Sequence, residues 1–263
     1  THIQEMAISH IHDNRPLILL SPSGTGKTCA FSILMLEAIA KKYFTEQWER
    51  PPTTIKGGIL GLILAHSPEL CQQIAKEIQS IGRYLPLSVF PIISSINLEE
   101  DWEDVNESQI VVATPGIIAK LLKKKKLKLF FLLSLVIDEW DKMLSDDGLN
   151  SDISQILSRP MPVIQHNFVC SSATYNNSAY TKLTKLLNHQ WELLRSVFID
   201  ENVINHNIDE EDDPTEVSTK SLRESYHFIC RAGSFNKRVN TIIEFFRIIN
   251  FYQAIIFCNI HQL

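Results

Sequence analysis

The sequence predicts an α/β protein built on a mostly parallel β-sheet. Short apolar runs, typical of buried strands, alternate along the chain with longer stretches of helical periodicity. The clearest unit is the apolar run 17–20, which opens into the loop 21–28 and then into helical periodicity over 30–39. Because parallel neighbours need crossover connections, this alternation predicts a sheet that is covered by helices on both faces.

The same alternation continues to about residue 200. Strands are predicted over 59–65, 110–113 and 133–137, followed in turn by helices over 69–78, 116–122 and 142–144. Apolar runs at 168–170 and 194–199 add two strands, with a helix between them over 179–187.

A change of composition near residue 204 indicates a domain boundary. The segment 204–220 contains an acidic, polar run interrupted by Pro214, which is typical of a solvated linker. We therefore expect a first domain over 1–203, a linker over 204–220, and the beginning of a second α/β domain over 221–263. In that last segment, 225–230 and 254–258 are predicted strands and 239–249 a helix. The chain starts without Met and stops just after an apolar run, so we expect it to be a piece of a longer protein.

Composition excludes several classes of protein. With 44% hydrophobic residues and a net charge of −5, the chain is neither a disordered segment nor a polycation that wraps nucleic acid. Its five cysteines are widely spaced and never form a C-x-x-C pair, which argues against a disulfide framework and against a zinc site. We expect a reducing compartment, the cytoplasm or the nucleus. Since no apolar run approaches the roughly 20 residues that span a bilayer, we expect no membrane insertion.

The loop 21–28 carries the strongest motif. Its sequence matches the phosphate-binding pattern G-x-x-x-x-G-K-[ST], except that a serine stands at the first glycine position. Glycines in such a loop let backbone N–H groups face phosphate oxygens, and the helix that follows presents its positive end. The lysine is expected to reach the β- and γ-phosphates, and the last threonine to bind Mg²⁺. The predicted nucleotide-binding residues are Ser21, Pro22, Ser23, Gly24, Thr25, Gly26, Lys27 and Thr28.

Two carboxylates follow the predicted strand 133–137. Asp138 is expected to hold Mg²⁺, and Glu139 to act as the general base that takes a proton from the attacking water. Two acids at a solvated helix start are the simpler alternative, because negative charge is favourable there. A phosphate-binding loop in the same chain favours the catalytic interpretation, in which Lys27, Asp138 and Glu139 act together.

The order of the motifs resembles that of the DEAD-box family of ATP-dependent RNA helicases. The resemblance is carried by the box 138–141 (Asp-Glu-Trp-Asp), by the tripeptide 172–174 (Ser-Ala-Thr) and by the phosphate-binding loop. Segments 1–4, 65–72, 114–116 and 254–259 are similar to further motifs of that family, so the resemblance covers the whole chain. It implies two RecA-like domains, the second of them truncated here, with ATP and Mg²⁺ as cofactors and RNA as partner.

The resemblance also implies roles for particular residues. Gln4 would read the adenine base, while Ser172, Thr174 and Asp141 would couple the nucleotide state to closure of the two domains. Thr114 and Gly116 would contact RNA. The sequences at 172–175 and 257–261 are also similar to the Gemin-class branch of the family, which would imply protein partners in an RNA–protein assembly complex.

The chain departs from the family pattern mainly where the family binds RNA. Pro68 and Ile117 stand where the family has arginines, and a serine pair at 94–95 replaces two glycines. Because arginine binds phosphate with a specific geometry, we expect RNA binding to be weaker, or relocated to the lysine run 123–126. A solvated helix end is the simpler interpretation of that run. Trp140 stands at a box position that is usually small.

Three functional interpretations follow from the sequence. The first is an ATP-dependent RNA helicase, supported by an intact nucleotide site. The second is a degenerate helicase that serves as a nucleotide-binding scaffold in an assembly complex, supported by the lost arginines. Some other P-loop ATPase is the third. The family's later arginine motifs have no counterpart before residue 263. Because an arginine finger contributes about 10³–10⁵ in rate, we expect residues 1–263 alone to be nearly inactive.

Overall fold

The structure is a computed structural model that describes residues 1–9, 17–43, 59–93, 105, 107–159, 167–174, 176–186, 197–199 and 235–248. The chain divides into two compact units, Thr1–Ser221 and Leu222–Leu263. In the second unit the described part is one helix. The predicted linker 204–220 and the predicted strands 225–230 and 254–258 lie outside the described residues, so these remain predictions.

The described part of the first unit contains a seven-stranded sheet with strand order β3-β4-β2-β5-β6-β1-β7. All of its neighbouring strands run parallel. The strands are β1 (Leu17–Leu20), β2 (Gly61–Leu64), β3 (Val89–Ile92), β4 (Ile110–Ala113), β5 (Ser134–Asp138), β6 (Phe168–Ser172) and β7 (Val197–Ile199).

Helices connect these strands. They are α1 (His2–Ser9), α2 (Lys27–Tyr43), α3 (Pro68–Ile81), α4 (Pro115–Lys123), α5 (Trp140–Ser145), α6 (Asp147–Leu157) and α7 (Asn177–Leu186), with α8 (Phe235–Ile248) in the second unit. None of the helices in the described residues has the length and apolar character needed to cross a membrane.

The sheet is buried on both faces. In β5, Leu135 and Ile137 point to one face and Val136 to the other, and each side chain lies in a separate apolar core. Helices α1 to α3 cover the Val136 face with side chains such as Phe31. Helices α4 to α7 cover the opposite face with side chains such as Ile153. Strands buried on both sides explain why the sequence shows continuous apolar runs in place of polar–apolar alternation.

The helix starts have local causes. The Ser67 hydroxyl accepts a hydrogen bond from the N–H of Leu70 at 3.3 Å, and Pro68 occupies the first turn of α3. The Asp146 carboxylate caps α6 in the same way, accepting from the N–H of Leu149 at 2.9 Å. The Ser67 cap sets where the chain turns from the end of β2 into α3, and the Asp146 cap sets where α5 ends and α6 begins.

The predicted α/β fold is confirmed, and the ends of the predicted elements differ from the observed ones by at most four residues. Elements α1, β3 and α6 were not predicted from the sequence pattern. Strand β3 contains Pro91, which cannot donate to a sheet ladder, and β3 lies at the edge of the sheet, where a proline is tolerated. The first half of α6 is polar and contains Gly148, so its helical pattern is weak in the sequence and depends on packing.

Candidate nucleotide-binding site

The strand order brings the predicted motifs together. Strands β5, β6 and β1 are consecutive neighbours, and Asp138, Ser172 and the loop 21–28 stand at their carboxyl ends. The register pairs Asp138 with Ser171 and Leu20 with Ser172. The Ser21 N–H donates to the Ser172 carbonyl at 3.2 Å. Ligands of open parallel sheets bind at this edge, so the fold and the motifs indicate the same site.

Hydroxyl groups of the phosphate-binding loop form hydrogen bonds within the loop. Ser21 Oγ donates to Thr25 Oγ1 at 2.7 Å, and Thr25 Oγ1 donates to the Pro22 carbonyl at 2.8 Å. Gly24 and Gly26 have φ values of +79° and +97°, a region that glycine enters at little cost. The buried Ser21 thus replaces the first glycine of the usual pattern without breaking the loop, because its side chain becomes part of the hydrogen bonding.

The Lys27 ammonium group is held within the same loop. Nζ donates to the carbonyl oxygens of Ser21 and Pro22, the latter at 2.8 Å. Burial lowers the pKa of Lys27, while the carboxylates of Asp138 and Glu139 act in the opposite direction. A partly desolvated cation at a helix start is suited to bind an anionic ligand such as a phosphate.

Gln4 lies against the phosphate-binding loop. Its Nε2 donates to the Gly26 carbonyl at 3.4 Å, and its Oε1 accepts from the amino terminus of Thr1 at 3.1 Å. A side chain at position 26 would collide with the Gln4 amide. The structure therefore places the predicted adenine-reading residue beside the loop, although the two are far apart in sequence.

The two predicted carboxylates differ in their surroundings. Asp138 is the last residue of β5. Burial raises its pKa, and the negative charge of Glu139 raises that pKa further. The Ser171 hydroxyl and the Lys27 ammonium group lower the pKa and so oppose the effect of burial. Glu139 immediately precedes α5 as its N-cap and has a left-handed backbone (φ 54°, ψ 44°), and its N–H donates to Asp138 Oδ1 at 3.2 Å. A residue other than glycine in this region is a local strain, and such strain is concentrated at functional sites.

The residues predicted to couple the two domains form one hydrogen-bonded group. The Thr174 hydroxyl donates to Asp141 Oδ2, and the Thr174 N–H donates to the Ser172 hydroxyl at 3.2 Å. Asp141 is buried, and within the described residues its second carboxylate oxygen has no hydrogen bond. The end of β6 is thereby joined to the first turn of α5.

Two contacts of Glu139 were not anticipated from the sequence. His66 Nδ1 lies 2.8 Å from Glu139 Oε2, and Lys142 Nζ lies 3.0 Å from the same oxygen. His66 follows β2, and the strand order makes β2 the neighbour of β5. His66 lies in the segment 65–72, which is similar to a family motif, and this similarity was the available signal.

The predicted RNA-contact residues lie at the same sheet edge but beside a negative charge. Thr114 precedes α4, and Gly116 is in its first turn. A Cβ atom on Gly116 would lie 3.1 Å from Asp152 Oδ2, so this carboxylate of α6 is near the start of α4. The lysine run 123–126 is at the other, C-terminal end of α4.

Trp140 shows how the chain accommodates its unusual box residue. The side chain is fully buried in the core under α5, and its indole N–H has no hydrogen bond within the described residues. Here a large aromatic residue fills space between sheet and helices. The substitution is therefore a packing feature of the α5 side of the sheet.

Comparison with known proteins agrees with this geometry. Residues 1–183 match the family model of the DEAD/DEAH box helicases. The chain belongs to this family. It is 25% identical over 260 residues to the ATP-dependent RNA helicase FAL1 of Saccharomyces cerevisiae, covering 98% of this chain and 56% of that protein. It is 30% identical over 192 residues to the ATP-dependent RNA helicase eIF4A of Candida glabrata, covering 73% of this chain and 44% of that protein.

Solved structures of this helicase family share the fold. The structure of S. cerevisiae Dbp5 bound to RNA and ADP BeF3 superimposes with a TM-score of 0.58 at 26% identity, covering 76% of this chain and 46% of that one. The first unit is thus a RecA-like helicase domain. This helicase chain spans about half the length of the curated relatives that it matches.

Proposed function

We propose that the protein is an ATP-dependent RNA helicase that binds ATP with Mg²⁺ at the loop 21–28 and uses hydrolysis to unwind RNA duplexes or remodel RNA–protein complexes. The supporting observation is that Lys27, Asp138, Glu139 and Thr174 meet at the carboxyl ends of neighbouring strands. The names of FAL1 and eIF4A, and the RNA and ADP BeF3 in the Dbp5 structure, support the same proposal.

The proposal assigns each residue a task. Lys27 and the N–H groups of the loop bind the phosphates, and Gln4 selects the adenine base. The Thr28 hydroxyl and the Asp138 carboxylate supply the hard oxygen ligands that Mg²⁺ prefers, and the ion neutralises phosphate charge when bound. No cluster of three acidic, histidine or cysteine side chains suited to a metal occurs in the described residues. A single carboxylate with a hydroxyl fits Mg²⁺ nonetheless, because it keeps several waters and takes phosphate oxygens as ligands.

RNA binding is proposed to be weak at the usual surface. Pro68 and Ile117 remove two cations, and Asp152 places a carboxylate near Gly116 where the resemblance implies an RNA phosphate. Helix N-termini attract anions, so Asp152 competes with phosphate for the start of α4. Lysines 123–126 stand at the C-terminal end of α4, the end away from Thr114 and Gly116, so RNA that they bind would contact a different part of this helix.

Three finer points stay proposals that rest on sequence resemblance. They are membership of the Gemin-class branch, partners in an RNA–protein assembly complex, and a location in the cytoplasm or nucleus. The similarity to the Gemin-class branch was drawn from residues 172–175 and 257–261, of which 175 and 257–261 lie outside the described residues.

ATP hydrolysis by the full-length protein, with and without single-stranded RNA, tests the proposed function. We expect RNA-stimulated turnover that falls at least about 100-fold in Glu139→Gln, which removes the general base and keeps nucleotide binding. Lys27→Ala should lose nucleotide affinity. Glu37→Gln, at a partly exposed carboxylate of α2 that pairs with Lys41, is the matched control. Nucleotide binding without turnover in the wild type would favour the scaffold instead.

A further inference from the structure

His66 and Glu139 are neighbours because β2 and β5 are paired. Leu64 of β2 is in register with Ile137 of β5, and each of the two side chains stands two residues beyond that pair. His66 Nδ1 lies 2.8 Å from Glu139 Oε2. The nitrogen is buried, and within the described residues it has no hydrogen bond to any other group. The sheet register thus directs the imidazole at the carboxylate.

The other contacts of Glu139 do not fix the orientation of its carboxylate group. Its backbone is fixed by the left-handed conformation and by the hydrogen bond to Asp138. Lys142, one helical turn further on, also contacts Oε2, but its side chain is 62% exposed. An exposed pair of this kind contributes little, because the flexible lysine loses entropy and water screens the charges. His66 is 32% exposed and comes from a rigid strand end, which suits it to fix an orientation.

We propose that His66 is a positioning residue for Glu139: its Nδ1–H holds Oε2 and leaves Oε1 to accept the proton of the attacking water. The inference rests on the proposed ATP hydrolysis at this site. The contact has the distance of an ion pair without the alignment of a hydrogen bond. Contacts of this kind in enzymes are often poorly aligned before substrate binds and tighten in the substrate complex.

Steady-state kinetics of the full-length protein test this role. In His66→Ala we expect kcat for ATP to fall about tenfold with KM unchanged, because the base is misplaced while nucleotide binding is intact. His66→Asn should recover most of the rate, since the asparagine amide nitrogen can take the place of Nδ1. Lys142→Ala should stay within about twofold of the wild type. An unchanged kcat in His66→Ala, or an equal loss in His66→Asn with normal thermal stability, would overturn the role.

A second measurement separates this inference from the proposed function. The imidazole ¹⁵N resonances of His66 should shift in Glu139→Gln and stay unchanged in Asp147→Asn, a fully exposed carboxylate on α6. A wild type that hydrolyses no ATP would remove the proposed function and with it the positioning role, even if the resonances shift. An active wild type whose His66 resonances ignore Glu139→Gln would overturn the positioning role alone.

Discussion

Thr174 donates a hydrogen bond from its hydroxyl to Oδ2 of the buried Asp141, joining the segment after β6 to α5. Asp141 has no second hydrogen bond at Oδ1 within the described residues. The carboxylate therefore depends strongly on a single hydroxyl. Since α5 starts at the catalytic box and Thr174 follows the Ser172 strand end, this contact is suited to transmit a change between the two motifs.

Removing the Thr174 hydroxyl should destabilise the domain. Thr174→Val keeps the shape of the side chain and leaves a buried carboxylate oxygen without its partner, which costs about 1–3 kcal/mol of the free energy of unfolding. Urea unfolding of the wild type and of Thr174→Val measures the difference in the free energy of unfolding. In the double variant with Asp141→Asn the total loss should be smaller than the sum of the two single losses. Thr181→Val, at an exposed hydroxyl of α7, should be nearly neutral, and an equal loss there would argue against the contact.

Asp138 should reduce the stability of the domain that it serves. Burial raises its pKa above the ordinary value of 3.8, so the folded state binds this proton more tightly than the unfolded state does. The resulting penalty is absent below the unfolded pKa and complete above the folded pKa. We therefore expect Asp138→Asn to raise the free energy of unfolding most at pH 8, with the gain shrinking as the pH falls toward about 4.

Urea titrations of Asp138→Asn at several pH values check this sign. Asp147→Asn, at a fully exposed carboxylate, is the control and should show no comparable pH dependence. A gain that grows on acidification would contradict the assigned direction of the pKa shift. The same variant should lose ATP turnover, which is the usual trade between stability and function at an active site.

The two loop glycines should respond differently to alanine. Both have positive φ, so each substitution costs about 1–2 kcal/mol of backbone strain. A Cβ at Gly24 meets open space, whereas at Gly26 it collides with the Gln4 amide. The Gln4 amide is the end of a flexible side chain and can move aside, so Gly26→Ala should destabilise the protein by at most about 1 kcal/mol more than Gly24→Ala does, through loss of the hydrogen bond from Gln4 to the Gly26 carbonyl. Urea unfolding curves compare the free energies of unfolding of the two variants. Adding Gln4→Ala to each should remove the difference between them. An equal loss of stability in the two single variants would show that the contact between Gln4 and position 26 has no cost.

Much of the fold was predictable because strands β1, β2, β4, β5 and β6 are buried on both faces. Runs such as 17–20 and 110–113 are apolar throughout, and the loop 21–28 has few structural alternatives once a strand precedes it and a helix follows. The elements that were not predicted contain few such signals. In β3, Pro91 interrupts the pattern of a strand. The polar first half of α6 is helical because the helix packs against α4.

The residues of each motif in the site were predictable from the sequence, but the contacts between residues of different motifs were not. Glu139 was predicted from the sequence, and His66 lies in the segment 65–72 that resembles a family motif, yet their contact requires β2 to lie beside β5. Strand order is a property of the whole sheet, and no local pattern of residues specifies it. The proximity of Asp152 to Gly116 was hidden for the same reason, because it depends on how α6 packs on α4.

Asp152 should weaken RNA binding, and neutralising it should strengthen that binding. Asp152→Asn removes a negative charge from the start of α4 with little change of shape, so phosphate can approach the helix N-terminus without repulsion. We expect several-fold tighter binding of a fluorescent oligouridine, with a salt dependence steeper by at most about one unit of slope.

Fluorescence anisotropy at several salt concentrations measures the effect of Asp152→Asn, with Asp147→Asn as a control of equal charge on the same helix. Because the Asp147 side chain is fully exposed and near Lys182 at 3.9 Å, its neutralisation should alter affinity far less. Equal gains in both variants would mean that net charge alone governs binding. Unchanged affinity in Asp152→Asn would indicate that RNA does not reach the start of α4, and variants of Lys123 to Lys126 would then identify the surface that it uses.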